Sequence, residues 1–210
     1  MHSSVALQLV HESPHRDLAA AEVAATAFLR ALGISLDSDS LAGTPARMAR
    51  GYAELFTPRT FDLTTFPNDE GYDELVISRN LPLRSMCEHH MLPFVGIAHI
   101  GYLPGERIIG LSKLARVAEH FACRPQRQER LTKQIADWLD AQLQPRGVGV
   151  VIEAEHTCMT LRAFRPPDRR PSRPHCWARC AKTRDHARSS SHSPRPTPDQ
   201  QHQTQPREMS

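Results

Sequence analysis

The chain has 210 residues, 40 % of them hydrophobic, with 17 prolines, 5 cysteines and a formal net charge of +3. That suits one ordinary domain with appendages, excludes a collagen-like chain, and offers no apolar run of bilayer-spanning length. His11 and Glu12 close the early apolar stretch, which does not read as a signal peptide, and the unevenly spaced cysteines suggest thiols or metal ligands rather than a disulfide framework; a cytoplasmic protein is expected.

Residues 1–15 carry no periodic pattern and are expected to be flexible. Asp17 to Leu32 is Ala-rich, with Leu18, Val23, Ala27 and Phe28 at helical spacing and Gly33 as a stop. Thr44-Pro45 is a helix start leading into Met48, Tyr52, Leu55 and Phe56, which completes an N-terminal helical region over 16–60. Residues 57–73 are loop-like. Leu75 to Met86, Pro93 to Leu103 and Arg107-Ile108-Ile109 are strand material, the last two joined by a turn at Pro104-Gly105. Ser112 is expected to cap a helix bearing Leu114, Val117, Ala118, Phe121 and Ala122, which Pro125 breaks. A second helix carries Leu131, Ile135, Trp138 and Leu139 on one face. Val148, Val150, Ile152 and Ala154 alternate in a strand expected to run on towards Cys158. The order of elements is an α+β pattern rather than a parallel doubly wound one, with the main domain over 74–164.

The basicity is confined to the end of the chain. Residues 165–210 hold 10 Lys/Arg against 4 Asp/Glu, and 8 prolines against 7 hydrophobic residues. Such a stretch cannot bury enough apolar surface to order itself and is expected to be a disordered tail. On composition alone its charge would suit nucleic acid, but no nucleic-acid or membrane partner is expected.

The chemistry concentrates at two places. Cys87 and His90 in Cys87-Glu88-His89-His90 have the spacing of a two-ligand zinc clip, or equally of an exposed polar turn. His156 and Cys158 lie two apart on an extended segment, so their side chains share the face of Ile152 and Ala154. There they are either a satisfied core histidine beside an inert thiol or parts of a metal site. Cys87, His90 and Cys158 together supply two thiolates and an imidazole, the three-ligand set that leaves a fourth zinc position open. His89 and His156 would then stand beside the metal, suited to proton transfer. Ser112, Lys113 and Arg116 put a hydroxyl and two cations at a helix N-terminus, joined by Arg162; they form an anion site or a solvated face. Gln128 and Glu129 open the next helix, where Glu129 either complements the helix dipole or accepts paired donors from a purine edge.

The motifs Cys87-Glu88-His89-His90, Gly110-Leu111-Ser112-Lys113-Leu114-Ala115-Arg116, Gln128-Glu129-Arg130-Leu131-Thr132 and His156-Thr157-Cys158-Met159, in this order, resemble those of GTP cyclohydrolase I over roughly residues 16–162. The resemblance implies the tunnelling fold, pentameric rings stacked as a decamer, and active sites where subunits meet. It implies conversion of GTP and water to formate and 7,8-dihydroneopterin triphosphate, the first step towards folate and related pterins. It also implies Zn2+ on Cys87, His90 and Cys158, with proton transfer by His89 and His156. Triphosphate contacts would come from Ser112, Lys113, Arg116 and Arg162, and guanine recognition from Gln128 and Glu129. A non-catalytic paralogue that binds zinc or GTP, or docks on an intact ring, is the alternative. A nitrile reductase of the same fold fits less well, because it uses a cysteine nucleophile and a nicotinamide cofactor.

After Arg162 the resemblance stops. Codons compatible with residues 162–180, read one base out of step, spell a Gly- and Thr-rich ending like the family's. The tail is therefore expected to be a frameshift product that lacks the final strand and helix. The strand through His156 is expected to have an unpaired edge, and Cys176 and Cys180 to be incidental thiols.

Overall fold

In the computed structural model, residues 6–8, 15–161 and 175–183 are described, and Arg162 lies outside them. Helix α1 (Leu18–Ala31) begins where the Asp17 carboxylate accepts from the Ala20 N–H at 2.9 Å and stops before Gly33, whose φ of +77° suits glycine. A short helix α2 (Asp39–Ala42) leads into α3 (Thr44–Leu55), whose cap is Gly43, so Thr44-Pro45 lies inside the first turn. The apolar positions expected on α1 do not form its inward face: Leu18, Val23, Ala27 and Phe28 are all exposed, Val23 to 70 %, and Ala25 and Leu29 are buried instead.

Two sheets follow. The small one has the order β1-β2-β5, from β1 (Ala6–Gln8), β2 (Asp62–Pro67) and β5 (Arg107–Ile109), with both pairings antiparallel. Neither β1, within the stretch expected to be flexible, nor β2, within a stretch expected to be loop, was legible. Each is short, and β2 carries Thr64 and Thr65 and ends on Pro67, so its pairing partners rather than its own pattern define it.

The large sheet has the order β6-β3-β4-β7-β8, from β3 (Val76–Cys87), β4 (Pro93–Leu103), β6 (Pro125–Gln126), β7 (Gly147–His156) and β8 (His175–Thr183). All pairs are antiparallel except β3 with β6. Helices α4 (Leu111–Ala122) and α5 (Gln128–Leu143) pack on the sheet. They contribute Leu114, Val117, Leu131, Ile135 and Leu139 to a core shared with Phe94, Ile100, Val150 and Ile152. This is an α+β architecture with a mixed sheet. Among the described residues no helix is long and apolar enough to cross a membrane.

Three expectations are corrected here. Ser112 is not the cap of α4: Gly110 holds that position with extended backbone, and Ser112 sits within the first turn. Strand β7 does not continue to Cys158; it ends at His156, and Thr157–Thr160 form a single helical turn, α6.

The third correction concerns the edge of β7, which is paired. β8 runs antiparallel to β7 from Glu155↔His175 to Gly147↔Thr183. The prolines at 166, 167, 171 and 174 all precede this strand, and His175–Thr183 contains none, so its backbone donors are intact. Ala178 is buried and Cys180 packs against the core, so this thiol is not incidental. Lys182 reaches Asp137 of α5 at 2.7 Å, fixing β8 to the helix layer.

Candidate active site

The site forms where the ends of β3, β7 and α4 meet the start of α5. Cys87 is the buried last residue of β3, and its N–H donates to the Leu92 carbonyl at 2.8 Å across the tight loop 88–91. Met91 takes a positive φ of 52° there, and its carbonyl accepts from the Tyr52 hydroxyl at 3.1 Å, tying α3 to the loop. The Glu88 N–H donates to the Gln126 carbonyl at 3.0 Å, and its carboxylate pairs with Arg127 at 3.0 Å and with Arg130. Just past the end of β7, the pairing partner of β4, the Thr157 hydroxyl donates to the Pro93 carbonyl at 2.6 Å, which holds α6 against the start of β4. The loop bearing His90 and the turn bearing Cys158 are thus each fixed to the sheet by named bonds.

The ligand atoms of Cys87, His90 and Cys158 all lie within 4.8 Å of one another. The two sulfurs are 3.8 Å apart, and the Cys87 sulfur is 3.8 Å from His90 Nδ1. Tetrahedral zinc with bonds of about 2.3 Å to sulfur and 2.0–2.1 Å to nitrogen requires separations of about 3.8 and 3.6 Å. The cluster fits that ion. His89 is exposed, with Nδ1 4.0 Å from the Cys87 sulfur.

His156 is half-buried at the end of β7. Its ring stacks on Phe94, its cross-strand partner, with centroids 4.5 Å apart and planes at 14°. Burial pushes the imidazole below its ordinary pKa, with Glu129 acting the other way. Glu129 is exposed at the start of α5. A groove of about 270 Å³ is lined by Cys87, His89, His90, Glu129, His156 and Cys158, among others.

Gln128, expected beside Glu129 as a guanine reader, lines the same groove but is only 3 % exposed. Its amide nitrogen donates to the Ile152 carbonyl at 2.9 Å, and its oxygen meets His156 Nε2 at 2.8 Å. Ser112, Lys113 and Arg116 do not line the groove. They sit at the start of α4, whose other end is fixed beside Cys87 by Ser85, donating from its hydroxyl to the Ala122 carbonyl at 2.6 Å. Ten residues of helix separate Ser112 from Ala122, about 15 Å. Arg116 instead approaches Glu119 at 3.7 Å. Tyr52, Phe94 and Glu88 were not foreseen as parts of the site; Glu88 alone carried a signal, lying inside the Cys-Glu-His-His motif.

An α+β protein with a tetrahedral-type Cys-His-Cys cluster, flanked by two further histidines and a carboxylate, is what the coordinates define. The family model of GTP cyclohydrolase I matches residues 21–190, which extends past Arg162 and takes in β8. GTP cyclohydrolase 1 of Mycobacteroides abscessus is 52 % identical over 158 residues, covering 72 % of this chain and 76 % of that protein. The Mycobacterium avium protein of the same name is 50 % identical over 162 residues, covering 75 % and 79 %. That of Aquifex aeolicus is 49 % identical over 140 residues, covering 67 % and 76 %. Among solved structures, the apo archaeosine synthase QueF-Like shares 13 % identity at a TM-score of 0.39, covering 51 % of this chain and 91 % of that one, a likeness too slight to argue from. This chain belongs to the GTP cyclohydrolase I family.

Proposed function

We propose that the protein opens the imidazole ring of GTP and rearranges the product to 7,8-dihydroneopterin triphosphate with release of formate, at a zinc site, in the cytoplasm. The observation that carries this reading is the Cys87–His90–Cys158 cluster at zinc-like separations beside Glu129 and His156, in a chain of this family. Zinc held by these three residues supplies Lewis acidity, which brings the ionisation of water towards neutral pH. Two thiolates and one imidazole favour that ion over magnesium or calcium, which prefer oxygen.

The chain's own residues do the rest. Glu129 at the mouth of the groove accepts the two donors of the guanine Watson–Crick edge, N1–H and the exocyclic amine. Ring opening requires protons on the departing imidazole nitrogens, and later steps require proton movement on the ribose. His156, half-buried beside the cluster, and His89, open to solvent, take those roles. Ser112, Lys113, Arg116 and Arg162 bind the triphosphate, the first three from a helix N-terminus that favours anions.

Because the first three stand from about 9 Å (Arg116) to about 15 Å (Ser112) along α4 from its end beside Cys87, the complete site draws them from a neighbouring copy. A homo-oligomer of the tunnelling-fold kind, rings of five stacked as ten, accounts for this and for the exposed apolar residues of α1. The domain reading is an N-terminal helical region over 16–60 and a catalytic domain over 74–164. Residues after 164 are an out-of-frame ending, part of which, β8, occupies the place of a last strand; sequencing the locus tests the frame.

The deciding assay supplies purified protein with zinc and GTP and follows formate and the oxidised, fluorescent pterin. Stoichiometric release of both supports the reading. A zinc-loaded, assembled protein that yields neither is a binding paralogue instead.

A further inference from the structure

A second cavity, of about 520 Å³, lies where α4 crosses the middle of β3, and none of the zinc ligands lines it. Leu83, Ala115 and Ala122 give it an apolar floor, and Arg59, Arg84 and Glu119 stand around it. Glu119 is the one carboxylate of this lining, and cations converge on it. Arg59, from the loop between α3 and β2, holds its two oxygens at 2.7 and 2.6 Å. Arg116, one turn back along α4, comes to 3.7 Å. The Arg59 hydrogen bonds, with the charges of Arg116 and Arg84 added, hold the Glu119 carboxyl below its ordinary pKa against the opposite pull of burial.

An isolated Arg–Glu pair would be an ordinary surface salt bridge. Three guanidiniums against one carboxylate leave positive charge in excess, and a cleft with apolar walls focuses that field on whatever enters it. The zinc groove is also small for a whole nucleotide: ligand pockets usually span about 300–1,000 Å³, and the groove holds about 270 Å³. From this geometry we infer that Arg59 and Arg84 are further phosphate-binding residues, which with Arg116 grip the polyphosphate end of the nucleotide at this cavity, and that Glu119 occupies these arginines until the phosphates displace it. The inference rests on the proposed GTP reaction for the identity of its ligand. Arg59 and Arg84 stand beside Arg116 in one chain, so the copy that lends Arg116 to a site lends them as well.

The test has a binding arm and a kinetic arm, both on the full chain. In calorimetric titration with inorganic tripolyphosphate at low salt, Arg59→Gln and Arg84→Gln should each weaken binding by about 3- to 10-fold, and the losses should shrink as salt is raised. Arg84 is exposed, so its variant carries the test even if Arg59→Gln is destabilised. Glu119→Gln removes the competing charge and keeps a hydrogen-bonding side chain, so it should tighten binding by about threefold. In turnover, Arg84→Gln should raise KM for GTP by the factor seen with tripolyphosphate and leave kcat within about twofold, with the affinity for guanosine unchanged.

Tripolyphosphate affinity unchanged in both arginine variants overturns the inference. If those variants instead assemble poorly, the arginines belong to a contact between copies. Weaker binding in Glu119→Gln overturns the role given to that carboxylate, which would then organise the arginines rather than compete for them. A wild type that binds tripolyphosphate with the expected losses but forms no pterin sinks the GTP reading alone, whereas a pterin-forming enzyme whose KM ignores both arginines sinks this inference alone.

Discussion

Cys158 illustrates how a side chain reaches a site by a route other than its spacing implies. An alternating strand would bring it to the face of His156; a helical turn does so instead, and the sulfur still comes to 3.8 Å from that of Cys87. Cys158→Ser should lose most bound zinc, because a neutral hydroxyl replaces a thiolate, while thermal unfolding in chelator stays close to wild type. Equal zinc content by atomic absorption would remove Cys158 from the ligand set. The three ligands were legible because chemistry restricts which residues bind zinc; the inward turn of Gln128 was not, since nothing in Gln128-Glu129 says which of two adjacent polar residues faces the core. A second residue-scale consequence lies at Arg59, which holds both oxygens of Glu119 at 2.7 and 2.6 Å. Those hydrogen bonds keep the Glu119 carboxyl below its ordinary pKa. The stabilisation is therefore complete above the ordinary carboxylate range and is lost as pH falls through the lowered value. Arg59→Ala should lower Tm modestly at pH 7, and the gap should close on acidification; a gap that widens in acid would contradict this assignment.

Among the elements, the strongest constraint is where β4 and β7 touch. A Cβ placed on Gly96 would lie 1.9 Å from the Glu153 carbonyl oxygen and 2.6 Å from the Ala154 Cα, both backbone atoms that cannot rotate away. Gly96→Ala should thus cost about 3 kcal/mol or more, well above an ordinary surface change, and displace His156 along with β7. Chemical denaturation measures the first, loss of turnover the second; a variant as stable as wild type would mean that the strands can separate cheaply. Helices α1, α4 and α5 and strands β3, β4, β5 and β7 were legible because each carries its own period and stop signals. β2 and β8 were not: the first is a polar strand made by its neighbours, and the second follows a proline cluster that masks a proline-free segment able to pair with β7.

For the whole molecule, the separation of Ser112 and Lys113 from Cys87 along α4 makes a prediction about mixtures. Lys113→Ala and Cys158→Ser should each be nearly inactive alone, since one damages the anion end and the other the metal end. If a site takes these ends from two copies, subunits scrambled from both variants will include sites in which both halves are intact. Random assembly places such sites at about a quarter of the total, and turnover should recover towards that fraction. Mixtures no better than their parents, with exchange verified by mass spectrometry, would locate the whole site within one chain. The resemblance already implied sites where subunits meet, but which residues a neighbour would supply emerges only once α4 is seen to run away from the cluster.

The pairing of Phe94 with His156 has a consequence for tolerance to error. Side chains on a strand alternate faces, so a slip of β7 by one residue would set a carboxylate, Glu155, where the imidazole stands and turn the imidazole to the opposite surface. The fidelity of proton transfer is thus inherited from the sheet, and the accuracy demanded of the reaction becomes an accuracy demanded of folding. Misregistered chains would retain their helices and much of their hydrogen bonding, yet be chemically silent.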